Sequence, residues 1–226
     1  MPRRRAERAG RAVTRRLVIV RHGRTEWNAS SRFQGQIDVP LDDVGREQAR
    51  RAAPMVAQLL PSLLLSSDLT RTRETAAAIA AVTGLPVVTD AGLRETYAGQ
   101  WEGLHRHEIE AQFGASWAAW TDGDDLVRPG GDGELRHEVA ARVVAALTTH
   151  LADVADDATV VVVTHGGAAR AAIGQLLGLP SEYWAALGVL TNCAWSVLVE
   201  RPVAGLWRLI EYNAGSLPEP ALGDDS

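Results

Sequence analysis

Two short apolar runs end in the same dipeptide, and this shared ending constrains the fold more than any other feature of the chain. Leu17-Val18-Ile19-Val20 leads into Arg21-His22-Gly23, and Val160-Val161-Val162-Val163 leads into Thr164-His165-Gly166. Runs of this length, β-branched and closed by polar residues and glycine, read as buried strands that feed loops. Each histidine therefore stands at the carboxyl end of a core strand.

Between and after these strands the apolar spacing becomes helical. A helix is expected from Gly45 to Leu60, kinked by Pro54. A strand follows at Leu63-Leu64-Leu65, and then Ser66-Ser67-Asp68, with Asp68 read as the cap of a helix from Leu69 to Val82 that Gly84 ends. Pro86-Val87-Val88 starts a third strand. Residues 92–133 are irregular, with short helices expected at His105–Phe113 and Trp117–Trp120, and read as a lid over the strand ends. Then come a helix from Glu134 to Leu151, the strand Thr159–Thr164, a helix from Gly167 to Leu177, and two paired strands at Ala194–Glu200 and Leu206–Glu211.

Strands that alternate with helices give an α/β fold, a three-layer α/β/α arrangement around a mainly parallel mixed sheet. In such sheets ligands sit outside the carboxyl ends of the strands. Three polar motifs fall there: Arg21-His22-Gly23, Ser66-Ser67-Asp68 with Arg71 a turn later, and Thr164-His165-Gly166-Gly167.

Composition bounds the rest. The 226 residues are 46% hydrophobic, enough for one sizeable core. The apolar runs fall far short of the roughly 20 residues that cross a bilayer. No apolar segment of signal-peptide type follows the basic N-terminus, so a cytoplasmic location is expected. Cys193 is the single cysteine, which leaves no intrachain disulfide and no thiolate metal cluster; it reads as core.

All 23 basic residues are arginine. Residues 1–16 carry seven of them against one glutamate, +6, which leaves −11 on the remainder of a chain whose total is −5. Residues 1–15 are expected to be a disordered basic arm, and no aromatic interleaving supports nucleic-acid binding. Residues 16–215 read as a single domain and 216–226 as a flexible acidic tail.

Taken singly, each motif has a plain structural reading. A histidine after a strand can serve as a cap, and Arg71 can pair on a helix surface with Asp68 or Glu74. Glu95 can pair with Arg94. The tryptophans at 101, 117, 120, 184, 195 and 207 read as core, and Trp27 as packing behind His22. His105-Arg106-His107 lacks a third metal ligand nearby, and no histidine pair has metal-site spacing.

Four segments together are more specific. Arg21-His22-Gly23-Arg24-Thr25-Glu26-Trp27-Asn28, Ser67-Asp68-Leu69-Thr70-Arg71-Thr72-Arg73-Glu74, Leu93-Arg94-Glu95-Thr96-Tyr97-Ala98-Gly99-Gln100-Trp101-Glu102-Gly103 and Thr164-His165-Gly166-Gly167 resemble, in order, the signatures of the histidine phosphatase superfamily, with its phosphoglycerate mutase-like fold. The resemblance covers roughly residues 16–213. It implies a phosphohistidine intermediate and no metal or other cofactor. His22 matches the family nucleophile; Arg21, Asn28, Arg71 and His165 match the phosphate pocket; Glu95 matches the proton donor. Gln34 and Gly35 match a loop that contacts substrate, and Gly166 opens the helix after His165.

Those roles suit the chemistry. A phosphate monoester is a dianion that repels nucleophiles, so its oxygens need neutralising before attack. The forks of Arg21 and Arg71 can grip two oxygens at once. His22 must be neutral, with one nitrogen held by an acceptor, and guanidinium charge around it lowers its pKa. An alkoxide leaves poorly without an acid, and Glu95 can supply that proton, then activate water in the second half-reaction. A bound dianion should raise the Glu95 pKa.

The Leu93–Gly103 segment resembles the phosphatase branch rather than the glycolytic mutases. Trp184-Ala185-Ala186-Leu187-Gly188, Asn192-Cys193-Ala194-Trp195-Ser196 and Trp207-Arg208-Leu209 with Tyr212-Asn213-Ala214 resemble, within it, the actinobacterial glucosyl-3-phosphoglycerate phosphatases. That closer likeness implies an acidic sugar phosphate as the small-molecule partner, and a homodimer. One departure is Leu135, which follows Gly131-Asp132-Gly133-Glu134 where relatives commonly carry serine; the missing hydroxyl bears on substrate selectivity. Two other classes stay open: a mutase that returns the phosphoryl group to a second hydroxyl, and a phosphate-binding module without chemistry.

Overall fold

The computed structural model describes residues 14–202 and 205–215. The expected acidic tail, and the basic arm apart from its last two residues, lie outside the described residues.

In chain order the elements are β1 (Arg16–Arg21), α1 (Glu26–Ala29), α2 (Asp43–Ala57), β2 (Leu63–Ser66), α3 (Thr70–Thr83), β3 (Val87–Thr89), α4 (Arg106–Thr121), α5 (Arg136–Leu151), β4 (Thr159–Thr164), α6 (Gly166–Leu176), β5 (Trp195–Glu200) and β6 (Trp207–Ala214). The strands form one mixed sheet in the order β3-β2-β4-β1-β5-β6. Its first four strands run parallel, and β5 and β6 are antiparallel to their neighbours.

Successive side chains of a strand point to opposite faces, and here both faces are covered. Leu17, Ile19, Leu65, Val160 and Val162 pack with Val139, Val143 and Leu147 of α5 and Ala168, Ala172 and Ile173 of α6. Val18, Val20, Leu64, Val161 and Val163 pack with Ala49, Ala53 and Val56 of α2 and Ala76 and Ile79 of α3. This double coverage explains why β1 and β4 are apolar at nearly every position.

The parallel register sets the site. Arg21 pairs with Thr164, and Ser66 with Val163, so β1, β2 and β4 end side by side. The three polar motifs therefore emerge at one edge of the sheet.

Three local expectations need correcting. Helix α2 runs through Pro54 and ends three residues later. The proline lies so near the C-terminus that it removes one ladder bond from the last turns, and the Gln58 amide still reaches the Pro54 carbonyl at 3.3 Å. Asp68 does not cap α3, because Leu69 holds the extended N-cap position. Asp38 does the capping from another loop, accepting from the Thr70 amide at 2.7 Å and its hydroxyl at 2.8 Å. Asp68 instead receives a two-pronged bond from Arg94 at 2.8 and 2.6 Å, which lowers the Asp68 pKa. Finally, Leu135 is the N-cap of α5 and makes no side-chain cap bond. The missing hydroxyl thus falls on a helix start, where Glu138 accepts from the Leu135 amide at 2.9 Å, and not on the pocket wall.

The 92–133 segment shares a core with Phe33. Phe33, Ala98, Trp101, Ile109, Trp117 and Trp120 form a separate buried cluster, with Trp101 fully enclosed and edge-on to Trp117 and Trp120 at 5.4 and 5.6 Å. The two short helices expected there are present, following one another within α4 across a kink at Phe113, where φ is −126° and ψ 19°. No described helix is long and apolar enough to cross a membrane.

Candidate active site

The turn after β1 is tight. A Cβ on Gly23 would lie 2.5 Å from the Gly45 carbonyl oxygen, and one on Gly45 would lie 2.0 Å from the Arg24 carbonyl oxygen. Two glycines in contact let this loop fold back against the start of α2. His22 is pinned at its backbone by the Thr164 carbonyl at 3.0 Å and by the Asn192 amide group, also at 3.0 Å.

The ring of His22 is 2% exposed, and its Nδ1 lies 2.7 Å from the Gly23 carbonyl oxygen. A carbonyl can only accept, so Nδ1 carries the proton and Nε2 carries the lone pair. His165, the N-cap of α6, has the complementary tautomer. Its Nδ1 accepts from Arg71 Nε at 3.1 Å, which places the proton on Nε2. That Nε2 is buried and has no hydrogen-bond partner among the described residues. The two rings meet edge to face with centroids 5.2 Å apart.

Burial lowers the pKa of both imidazoles well below the ordinary histidine value. The charge of Arg71 and then of Arg21 adds to this at His22, against an opposing pull from the Gly23 carbonyl. At His165 the next contributions come from Arg71, His22, Arg21 and Arg142. Guanidinium charge, expected as the cause at His22, is thus second to burial.

Below about pH 6.5 an unfolded histidine takes up a proton that these folded rings refuse. The stability linked to their neutral forms is therefore whole above that pH and is lost as pH falls toward their depressed folded values. The melting temperature should hold between pH 8 and 7 and then drop below about pH 6.5, with a shallower drop in His22→Gln. A melting temperature unchanged down to pH 5 contradicts this account.

Arg71 is fully buried and acts as a clamp. Besides His165 it donates to the Gly35 carbonyl at 2.7 Å and the Ile37 carbonyl at 2.9 Å. The same loop is held from its other end by Asp38 on α3. Gly35 has φ +50°, and a Cβ there would sit 2.0 Å from Glu102 Oε1, so only glycine fits. Arg21 is 1% exposed and donates to the Leu190 carbonyl at 2.8 Å.

Glu95 occupies the start of α6. Its carboxylate accepts from the Ala168 amide at 2.8 Å, the Gly167 amide at 3.1 Å and its own neighbour Thr96 at 2.9 Å. The unsatisfied amides of that helix end need acceptors, and the Glu95 carboxyl group supplies them. Gly167 makes the approach possible, because a Cβ there would stand 2.9 Å from Glu95 Oε1. The Glu95 carbonyl is fixed by Gln36 at 3.0 Å and Arg142 at 3.2 Å. Arg94, its alternative partner, is taken by Asp68.

These groups surround a pocket of about 610 Å³, mouth included. His22, Gln34, Gly35, Arg71 and Glu95 line it. His165, Gly166, Arg21 and Asn28 are buried around it without lining it. Asn28 Oδ1 accepts from the Thr25 amide at 3.0 Å, and Gln34 Oε1 from the Thr25 hydroxyl at 3.0 Å. The Arg32 guanidinium lies over the Trp27 ring, 5.3 Å from its centroid. Both ring nitrogens of His105 are engaged, by Ser30 and by Arg32.

Sequence reading missed the far wall: Phe33, Thr96, Trp120, Arg136, Arg170 and Trp184. Trp120 and Trp184 are core residues that also face the pocket. Part of this wall had a readable signal, because Gly167, Arg170, Ala171 and Gly174 share one face of α6 at helical spacing. Gly174 belongs to that face because Trp184 lies on it; a Cβ there would come within 2.5 Å of the indole.

A neutral, oriented imidazole among guanidinium groups, at the carboxyl ends of an α/β/α sheet, defines a site for phosphate esters built around histidine. The chain belongs to the histidine phosphatase superfamily: the model of its branch 1 matches residues 17–214. The chain is 42% identical to the glucosyl-3-phosphoglycerate phosphatase of Mycolicibacterium vanbaalenii over 217 residues, covering 89% of this chain and 96% of that one. With the enzyme of the same description from Mycobacterium tuberculosis it shares 41% over 215 residues, again 89% and 96% of the two chains. It is also similar to a solved mycobacterial glucosyl-3-phosphoglycerate phosphatase in complex with VO3, with a TM-score of 0.82 and 40% identity over 89% of this chain and all of that one.

Proposed function

We propose that the chain is a phosphomonoesterase that takes the phosphoryl group of an acidic sugar phosphate, of the glucosyl-3-phosphoglycerate type, onto His22 and passes it to water. One observation carries the reading. His22 Nε2 has its lone pair at hand, because Nδ1 is tied to Gly23, and an unpartnered N–H of His165 stands beside it.

In the first half-reaction Nε2 attacks phosphorus while the bond to the leaving oxygen breaks. Arg21 and Arg71 balance the charge on the remaining oxygens, and His165 Nε2–H donates to one of them. Asn28, Gln34 and the Gly35 and Gly166 backbone complete the cradle. Glu95 gives its proton to the departing alkoxide. In the second half-reaction the Glu95 carboxylate takes a proton from water, which attacks phosphorus and breaks the P–N bond. The ring returns to its starting state.

Phosphate release in buffer containing EDTA tests the assignment of Glu95. Glu95→Gln should lose about 10²–10⁴-fold on alkyl phosphates and much less on p-nitrophenyl phosphate, whose leaving group needs no proton. Equal losses on both contradict the role. Cytoplasmic residence and homodimeric assembly belong to the same proposal, supported by the resemblance of the Trp184–Gly188 and Trp207–Ala214 segments to that enzyme group.

A further inference from the structure

Two arginines of the pocket wall are not used by the phosphoryl chemistry. Arg136 and Arg170 line the pocket, as do Trp120 and Trp184. The two arginines differ in what already answers their charge. Arg136 stacks on the Trp120 ring at 4.8 Å, donates to the Asp124 carbonyl at 3.2 Å, and lies 3.7 Å from the Asp125 carboxylate. Arg170 is half-buried in the pocket wall, and among the described residues it makes no ion pair or hydrogen bond. A guanidinium withdrawn part-way from water with no carboxylate beside it is a site prepared for an anion from outside.

Its position says which anion. Arg170 sits one turn along α6 from Gly167, whose amide holds Glu95. At 1.5 Å rise per residue the offset along the helix is about 4.5 Å. Arg170 and Glu95 line the same pocket, so one small ester can meet both. In a 3-phosphoglycerate unit the carboxylate lies two carbons beyond the phosphorylated carbon. The remaining hydroxyl carries the sugar, which the indole faces of Trp120 and Trp184 can cover.

We propose that Arg170 determines specificity by binding the substrate's carboxylate, an inference that rests on the phosphatase reading above. Planar guanidinium suits a carboxylate as a two-pronged partner. Esters with a carboxylate beside the phosphorylated carbon chain should bind through both charged groups, and simple alkyl phosphates through the phosphate alone.

The test compares 3-phosphoglycerate with glycerol 3-phosphate, which has the same carbon chain and no carboxylate, in wild type, Arg170→Gln and Arg170→Lys. Both turnover and calorimetric binding are measured, with circular dichroism to check folding. In Arg170→Gln the ratio of kcat/KM for the acid over the neutral ester should fall about 10–100-fold, mostly through KM. The calorimetric affinity ratio should fall with it, and Arg170→Lys should lie between. A ratio that stays within twofold of wild type overturns the inference. The binding arm separates the two readings: wild type that binds both esters but releases phosphate from neither of them, nor from glucosyl-3-phosphoglycerate or p-nitrophenyl phosphate, sinks the phosphatase reading, while the affinity ratio still decides the role of Arg170.

Discussion

Replacing His22 by alanine should lower phosphate release on the order of 10⁴–10⁶-fold, for good and poor leaving groups alike. The imidazole is the only atom source for the P–N bond in the proposed cycle, and no neighbour can substitute for it. His165 stands 5.2 Å away ring to ring, but its Nδ1 is committed to Arg71 and its Nε2 bears a proton. It lacks an exposed lone pair. Steady-state assays on p-nitrophenyl phosphate and a sugar phosphate decide the matter, and retention of more than a few per cent of activity contradicts the assignment.

The second large effect is at Arg71. Alanine there should cut kcat/KM by roughly 10³–10⁵-fold, the range found when a guanidinium serving a transferring phosphoryl group is removed. Two losses combine: the positive charge beside His22, and the bonds to His165 Nδ1, the Gly35 carbonyl and the Ile37 carbonyl. Lysine should restore little, since a point charge cannot reproduce that fixed fork. A separate signature follows from the sign of the electrostatics. Arg71 lowers the pKa of both imidazoles, so its removal raises them and moves the acid limb of residual activity to higher pH. A limb that stays in place would show that Arg71 acts only as a structural clamp.

How far the sequence reaches can be traced residue by residue. The strands carrying His22 and His165 are legible because burial on both faces demands apolar side chains at every position, which leaves their polar endings conspicuous. Arg71 is legible through its motif, and Glu95 through its resemblance alone. Asp38 as the cap of α3 is not legible, because the bond spans 32 residues while cap patterns are read locally, and the neighbouring Asp68 supplied the wrong candidate. The pocket wall made by Trp120, Arg136 and Trp184 is hidden for a related reason. Nothing in their spacing distinguishes a tryptophan that only fills a core from one that also faces a cavity, and the difference arises when α4, α5 and the turn at Ser181–Ala186 converge. Arg170 lies between these cases: its place on the α6 face is periodic, but its lack of a hydrogen bond or ion pair among the described residues appears only in three dimensions.

The central claim is that the phosphoryl group passes through one ring nitrogen. Rapid acid-free quenching of the enzyme during turnover of a labelled phosphate ester, followed by peptide mapping, tests it most directly. The expected result is one labelled peptide, stable to alkali and labile to acid, with phosphate on His22 and no label in His22→Ala. Label on a serine, an aspartate or His165, or active turnover with no protein-bound phosphate at any time, would contradict it.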